Sequence, residues 1–137
     1  MNSDPEYRTA VIPDEDAAIQ KPILVFDGEC AFCKYWVNRW RQRTEDDVIY
    51  IPFQQAPPSY FGISREQFRE SVYLITQYRR LHGAEAVFEL LAISGDTTFI
   101  RLYNLPLANR LFELGYSIVA NNRNFFYELL RRFTTNP

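Results

Sequence analysis

The two cysteines of the chain, Cys30 and Cys33, are separated by two residues. Residues three apart lie on the same face of a helix, about one turn apart. A thiolate at the first position can attack a disulfide, and a thiol one turn later can attack the resulting mixed disulfide and release the product. The spacing therefore predicts Cys30 as the attacking cysteine and Cys33 as the resolving cysteine of a redox-active dithiol.

The residues around the pair predict a buried strand followed by a helix. Ile23–Phe26 is apolar at every position and ends at the turn signal Asp27-Gly28, as in a central strand of an α/β sheet. From Cys30 to Thr44, apolar residues recur at three- and four-residue steps, which is typical of an amphipathic helix. Cys30 is thus predicted at a helix N-terminus, where unsatisfied N–H groups and the helix dipole favour a thiolate.

Two acidic residues, Asp27 and Glu29, precede Cys30. Asp27 has two compatible interpretations: its carboxylate fixes the Gly28 turn by accepting backbone hydrogen bonds, or it transfers a proton during thiol exchange. Negative charge near Cys30 raises the pKa of its thiol and opposes the effect of the helix terminus. The sequence therefore does not predict a strongly acidic Cys30.

The remaining elements complete a βαβαββα order with further helices behind it. The patterns predict a second strand over Val48–Phe53, a short helix over Ser64–Arg69, a hairpin of strands over Ser71–Gln77 and Tyr78–Leu81, and helices over Ala84–Ile93, Leu105–Val119 and Asn124–Phe133. Two strands that flank a helix form a parallel pair, and a hairpin adds antiparallel strands. The predicted fold is α/β and thioredoxin-like: a central four-stranded mixed sheet flanked by helices, with extra C-terminal helices.

Length and composition are those of one globular domain. The chain has 137 residues, of which 47% are hydrophobic, enough to bury a core. Its net charge of −2 gives no electrostatic reason to bind nucleic acid. No apolar run approaches the roughly 18–20 residues of a membrane span, so membrane association is not expected. Residues 1–21 are acidic and predict a flexible N-terminal tail, and residues 22–137 predict a single domain.

The N-terminal residues lack the basic start and apolar stretch of a secretory signal, so the expected compartment is the cytoplasm, where structural disulfides are rare. A metal site and simple core packing are two other interpretations of the cysteines. A closed zinc site usually has four Cys or His ligands, whereas the chain offers two cysteines and the single histidine His82. We therefore predict no metal and no bound cofactor, with electrons supplied by a thiol pool or a reductase. Core packing stays open, and it is compatible with Cys33 as a resolving thiol.

Aromatic residues accompany the dithiol along the predicted helix. Phe32, between the cysteines, and Trp36, one turn later, are the predicted substrate contacts, although core packing also explains Trp36 and Trp40. Scattered arginines can bind an anionic partner such as glutathione or simply cover solvated helix faces. The predicted partners are a protein disulfide or dithiol, or a low-molecular-weight thiol such as glutathione.

The strand followed by Asp27-x-x-Cys30-x-x-Cys33 resembles the signature of the DCC family (DUF393) of predicted thiol–disulfide oxidoreductases. Leu81–Ala86, which opens a helix, and Asn122-Arg123, before an aromatic and basic helix, are also similar to that family. The resemblance implies a thioredoxin-like fold and a redox role.

Two features depart from the thioredoxins themselves. Thioredoxins carry a cis-proline just before the third strand, facing the dithiol, whereas Arg69-Glu70-Ser71 precedes Val72 here. The residues between the cysteines are Ala31-Phe32 rather than Gly-Pro. The substrate groove and the reduction potential therefore cannot be transferred from thioredoxin.

Two hypotheses of different class follow from the sequence. The first is a thiol–disulfide oxidoreductase that uses Cys30, Cys33 and Asp27. The second is a non-catalytic thioredoxin-like interaction module, whose partner surface is the aromatic and C-terminal helical region. A reversible two-electron transition of the cysteines distinguishes the first from the second.

Overall fold

Strand β1 (Ile23–Phe26) occupies the centre of the sheet, and all four of its residues are fully buried. In the computed structural model, which describes residues 12–134, β1 pairs in parallel with β2 (Ile49–Pro52) and antiparallel with β3 (Tyr73–Ile75). Strand β4 (Arg80–His82) pairs antiparallel with β3. The result is a four-stranded mixed sheet in the order β2-β1-β3-β4. The buried central strand, the parallel pair and the antiparallel hairpin were all predicted from the sequence.

Within the described residues, six α-helices surround this sheet. They are α1 (Ala31–Thr44), α2 (Arg65–Glu70), α3 (Gly83–Ile93), α4 (Thr98–Tyr103), α5 (Ala108–Asn121) and α6 (Arg123–Thr134). Short 3₁₀ helices at Glu45–Asp47 and Phe53–Gln55 follow α1 and β2. A mixed four-stranded sheet flanked by helices, with helices added after the last strand, is the thioredoxin-like layout predicted from the sequence.

The side chains of β1 alternate between two hydrophobic layers. On one face, Leu24 packs in a cluster with Val37 of α1 and Leu90 of α3. On the other face, Val25 packs in a cluster with Phe68 of α2. Because α1 is held against the first face by these apolar contacts, the turn between β1 and α1 has a fixed position at the edge of the sheet.

The predicted start of helix α2 is confirmed in detail. The Ser64 hydroxyl accepts a hydrogen bond from the Gln67 N–H at 3.1 Å, and the Gln67 side chain accepts one from the Ser64 N–H at 2.9 Å. This reciprocal pair is a capping box, which satisfies two N–H groups at the start of the helix.

The hairpin strands are shorter than the pattern predicts. The Thr76 N–H donates to the Arg79 carbonyl at 2.8 Å, and the Arg79 N–H donates to the Thr76 hydroxyl at 3.1 Å. These bonds close a tight turn with Gln77 and Tyr78 at its tip, so both residues leave the sheet. The sequence predicts Gln77 and Tyr78 inside strands because no glycine, proline, asparagine or aspartate marks a turn between Thr76 and Arg79.

The prediction of one helix over Leu105–Val119 was wrong at its start. The chain forms α4 and then a break that contains Pro106 and the left-handed residue Leu107, at φ 67°, before α5 begins. Proline has no N–H to donate, and it tends to end or begin helices rather than continue them. The predicted separation of the last two helices, between Val119 and Asn124, is confirmed, since α5 ends at Asn121 and α6 begins at Arg123.

Part of the predicted N-terminal tail lies against the second hydrophobic layer. Ile12 and Ile19 pack on that layer, the Tyr60 hydroxyl donates to the Pro13 carbonyl, and the Phe61 N–H donates to the Glu15 carboxylate at 2.9 Å. Residues 1–11 and 135–137 lie outside the described residues, and the boundary at residue 22 stays a prediction. In the part of the chain that the structure describes, no helix has the length and apolar character to cross a bilayer.

Candidate active site

Cys30 is the residue that caps helix α1, directly after the turn that ends β1. Its backbone is extended, at φ −95° and ψ 115°, and its sulfur accepts a hydrogen bond from the Cys33 N–H at 3.2 Å. The sulfur thus takes the part that a Ser or Asp oxygen plays at other helix starts. Both cysteines are free thiols. The predicted position of Cys30 at a helix N-terminus is confirmed.

The turn before Cys30 is fixed by Asp27 and by Gln54, which follows β2. The Asp27 carboxylate accepts hydrogen bonds from the Glu29 N–H at 3.0 Å and from the Gln54 side-chain amide at 2.8 Å. The Gln54 carbonyl oxygen accepts the Gly28 N–H at 2.9 Å. A Cβ on Gly28 would lie 2.7 Å from the Cβ of Pro52, closer than side chains approach, so glycine is required here.

Arg123, the first residue of α6, reaches the same turn from the C-terminal end of the chain. Its guanidinium lies 3.6 Å from the Asp27 carboxylate, and the two side chains are only 17% and 13% exposed. Arg123 is one of the scattered arginines predicted to cover a solvated helix face or to bind an anionic partner, and the structure shows it in an ion pair beside the dithiol. The positive charge of Arg123 therefore compensates the negative charge of Asp27 near Cys30.

These contacts lower the pKa of the Cys30 thiol to about 6. The largest cause is a hydrogen bond from the Cys33 thiol. The Cys33 backbone N–H and the positive charge of Arg123 act in the same direction, while burial and the Asp27 charge oppose them. The sequence predicted the opposing effect of Asp27, but it could not include the compensating arginine. Cys30 is consequently far more acidic than an ordinary cysteine.

Cys33 differs from Cys30 in both accessibility and protonation. It is 7% exposed, and its pKa is raised because its proton is shared with the Cys30 sulfur and because burial disfavours a second thiolate. Two neighbouring thiolates would repel each other, so only one sulfur of the pair is charged near neutral pH. The pair is thus a half-buried thiolate beside a buried thiol.

The predicted substrate contacts Phe32 and Trp36 lie next to the dithiol on α1. Both rings are half-buried, and they meet edge to face with their centroids 6.3 Å apart. Together with Cys33 they line one end of an apolar groove with a volume of about 800 Å³, formed by α1, α3, α5 and Arg123. Trp36 also stacks on Trp40, with the ring centroids 6.4 Å apart. Trp36 thus packs against a neighbouring side chain and also lines the groove.

The chain segment before β3 is covered by helix α5. The N–H of Val72, which lines the groove, donates to the Tyr116 hydroxyl at 3.0 Å. Tyr116 is deeply enough enclosed that burial raises its pKa. A thioredoxin would have its cis-proline in this region. Here the hydroxyl of Tyr116, from the C-terminal helices, accepts a hydrogen bond from the backbone N–H of Val72.

His82 lies away from this arrangement. Its ring is exposed at the end of β4 and stacks on Tyr73, with the centroids 5.3 Å apart. Among the described residues, no group of three or more His, Cys, Asp or Glu side chains is placed to hold a metal ion.

Sequence reasoning missed Gln54, Tyr116 and the position of Arg123. A signal for Gln54 was available, because it follows a strand predicted to be parallel to β1. The carboxyl ends of parallel strands meet at one edge of a sheet, where polar groups converge. The roles of Tyr116 and Arg123 depend on how the C-terminal helices fold back, and nothing in their local sequence reveals that.

Comparison with known proteins identifies a family for this fold and site. The family model for DCC1-like thiol-disulfide oxidoreductases matches residues 24–129, which include the dithiol turn, Gln54, Tyr116 and Arg123. No curated protein and no solved structure matches the chain. The extent of the family match, from the first strand to the last helix, shows that the chain belongs to the DCC1-like thiol-disulfide oxidoreductase family.

Proposed function

We propose that the protein is a thiol–disulfide oxidoreductase in which Cys30 attacks and Cys33 resolves. The asymmetry of the two thiols carries this proposal: the half-buried Cys30 has a pKa of about 6, and its buried neighbour Cys33 keeps its proton. The thiolate is the reactive form of a cysteine, so the first attack falls to Cys30.

In the first step, the Cys30 thiolate attacks one sulfur of a substrate disulfide. A mixed disulfide forms between Cys30 and the substrate, and the other substrate sulfur leaves as a thiolate and takes up a proton. In the second step, Cys33 loses its proton to Asp27 and attacks the Cys30 sulfur, so the second substrate sulfur leaves as a thiolate and takes up that proton. The cysteines are oxidised to a disulfide, and the substrate gains two electrons and two protons. The reverse sequence oxidises a substrate dithiol.

Formation of the mixed disulfide favours the second step because it lowers the pKa of Cys33. While Cys30 is a thiolate, its hydrogen bond with Cys33 is the largest cause that keeps the Cys33 proton in place. Once Cys30 is bonded to substrate it carries no charge, so the pKa of Cys33 falls. We assign Asp27 two roles: it orients the turn through its contacts with Gln54 and Glu29, and it accepts the Cys33 proton.

The substrate class is a protein disulfide or dithiol, or a low-molecular-weight thiol such as glutathione. We infer that Phe32 and Trp36, which lie beside the dithiol on α1 and line the groove with Cys33, contact the groups that flank the reacting sulfur. Thiol exchange needs no bound cofactor. We expect the protein to act in a reducing compartment such as the cytoplasm, where a thiol pool or a reductase restores the dithiol.

Trapping of the mixed disulfide tests this mechanism. The Cys33→Ser protein, incubated with oxidised glutathione, is expected to accumulate an adduct on Cys30 that mass spectrometry detects. The Cys30→Ser protein is the matched control, and it should form little adduct because Cys33 is only 7% exposed. A folded Cys33→Ser protein that forms no adduct with glutathione or with a protein disulfide would refute the mechanism.

A non-catalytic interaction module is the second candidate, and exposed apolar residues favour it. Leu111, Leu114 and Ile118 on α5 are 70%, 59% and 51% exposed, as expected for a surface that binds a partner. Titration of the thiols across a series of redox buffers separates the candidates. Two thiols that react only after unfolding would support the interaction module, whereas a reversible two-electron transition supports the enzyme.

A further inference from the structure

The apolar groove extends well beyond the dithiol. Its lining on α1 runs from Phe32 to Arg43, which corresponds to about 16 Å along a helix axis. Of the two cysteines, Cys33 lines the groove, at the first turn of that length. The volume of about 800 Å³ lies within the range of roughly 300–1,000 Å³ that is typical of small-molecule sites.

The walls of the groove are aromatic over most of this length. Trp36 and Trp40 on α1 face Phe88 of α3 and Phe112 of α5. Gly115, in the interior of α5, also lines the groove, and an added Cβ there would meet no atom within 4 Å. A glycine inside a helix costs about 1 kcal/mol relative to alanine. Since no close contact requires it, Gly115 serves here to leave the groove open.

The charged side chains that line the groove, among the described residues, are all positive. Arg39, Arg43 and Arg123 contribute to the lining, and no aspartate or glutamate does among the residues that the structure describes. Arg123 is paired with Asp27 at the dithiol end. Arg39 and Arg43 lie on the last turns of α1 and are exposed, with the Arg39 guanidinium also bonded to the Tyr35 hydroxyl. The groove thus offers an apolar interior and a positive outer end.

We propose that this groove is a binding site for a small molecule with an apolar body and one anionic group, such as a medium-chain carboxylate. The apolar body lies between the two tryptophans and the open face of Gly115, and the anionic group lies by Arg39 and Arg43. Binding requires no thiol chemistry, so the proposal stands apart from the oxidoreductase function. A bound molecule would nevertheless lie against Cys33, which forms part of the same wall.

Tryptophan fluorescence can report binding at this site, because both tryptophans of the chain line the groove. Titration of the reduced protein with dodecanoate, below its micelle concentration, should give a saturable change in tryptophan fluorescence. Dodecanol has the same apolar chain without the charge. It should bind about three- to tenfold more weakly, as two partly exposed ionic contacts would produce.

Filling the groove tests its location. Gly115→Leu places a side chain in the open space and should weaken dodecanoate binding at least about tenfold. Ser117→Leu adds the same side chain at an exposed position of the same helix and should leave the affinity unchanged. The double variant Arg39→Gln, Arg43→Gln alters no buried residue and should remove the preference for dodecanoate over dodecanol.

Three results would overturn the proposal. They are the absence of saturable binding, equal binding by the folded Gly115→Leu and Ser117→Leu proteins, and equal affinity of the unaltered protein for dodecanoate and dodecanol. The Cys30→Ser protein should bind dodecanoate as well as the unaltered protein does. A failure of thiol exchange with intact binding would contradict the oxidoreductase function alone.

Discussion

The segment that carries the dithiol and the helices that close over it are built in different ways. Every residue of β1 is fully buried, and α1 packs directly on the sheet through Val37. By contrast, α5 contributes the partly buried Tyr116 but no fully buried residue, and Leu111 and Leu114 on that helix are largely exposed. Yet Tyr116 of α5 and Arg123 of α6 reach the site. The central segment therefore supplies most of the buried apolar surface that stabilises the fold, while the C-terminal helices contribute polar side chains that affect the reactivity of the dithiol.

This division means that stability and thiol reactivity can be altered separately. Burial of apolar surface dominates the free energy of folding, and it is concentrated around β1. Thiol reactivity depends on a few polar contacts near Cys30, one of which comes from a helix with little buried surface. The comparison can therefore be tested by substitutions of matched chemistry in the two regions.

The same substitution in each region should give the largest contrast. Leu24→Ala removes a fully buried side chain of β1 and should lower the free energy of unfolding by about 2–5 kcal/mol. Leu114→Ala removes a side chain of α5 that is 59% exposed and should change it by no more than about 0.5 kcal/mol. Urea unfolding followed by circular dichroism measures both. Similar losses in the two variants would contradict the division.

Asp27→Asn should separate the two steps of thiol exchange. The amide oxygen can still accept the Glu29 N–H, but an amide cannot take the Cys33 proton. Removal of the negative charge also lowers the pKa of Cys30, because Asp27 raises it in the native protein. We expect unchanged or faster attack at low pH, and resolution slowed at least about tenfold, since proton transfer contributes about a hundredfold or more in enzymes.

Rapid-quench detection of the glutathione adduct on Cys30 would follow both steps of that variant. Adduct should accumulate in Asp27→Asn and not in the unaltered protein. If resolution proceeds at the normal rate, Asp27 only shapes the turn.

Arg123→Gln should lower the reactivity of Cys30. The Arg123 charge helps to lower the pKa of Cys30, and its loss also leaves Asp27 without its ion-pair partner. The pKa of Cys30 should rise, so alkylation of Cys30 at pH 6 should slow about two- to fivefold. The exposed Arg110→Gln on α5 is the control and should have no effect. Equal rates in the two variants would show that α6 does not influence the dithiol.

The parts of the site that the sequence predicted are those built from neighbouring residues. The strand, turn and helix around Cys30 lie within a single stretch, and the apolar periodicity of that stretch reports burial directly. The Ser64–Gln67 capping box was predictable for the same reason. The hairpin tip at Gln77 and Tyr78 was placed in strands because turn hydrogen bonds leave no trace in an apolar pattern.

The acidity of Cys30 was not predictable from its neighbours. Asp27 and Glu29 are adjacent in sequence, so their opposing charge was evident. Arg123 joins the site only through the packing of α6 against α1, and the hydrogen bond from Cys33 depends on the geometry of the first helical turn. Electrostatic effects of this kind follow from distances in the folded chain, which the sequence order does not contain.

The pH dependence of alkylation tests the central claim most directly, namely that the dithiol is a reactive thiolate beside a protonated thiol. As pH rises through the pKa of a thiol, the reactive thiolate accumulates and the rate increases. For the reduced protein we predict a half-maximal rate near pH 6, with mass spectrometry finding the label on Cys30 and not on Cys33. A rate that reaches half its maximum only near pH 8.5, the value of an ordinary cysteine, or equal labelling of both cysteines, would contradict the account.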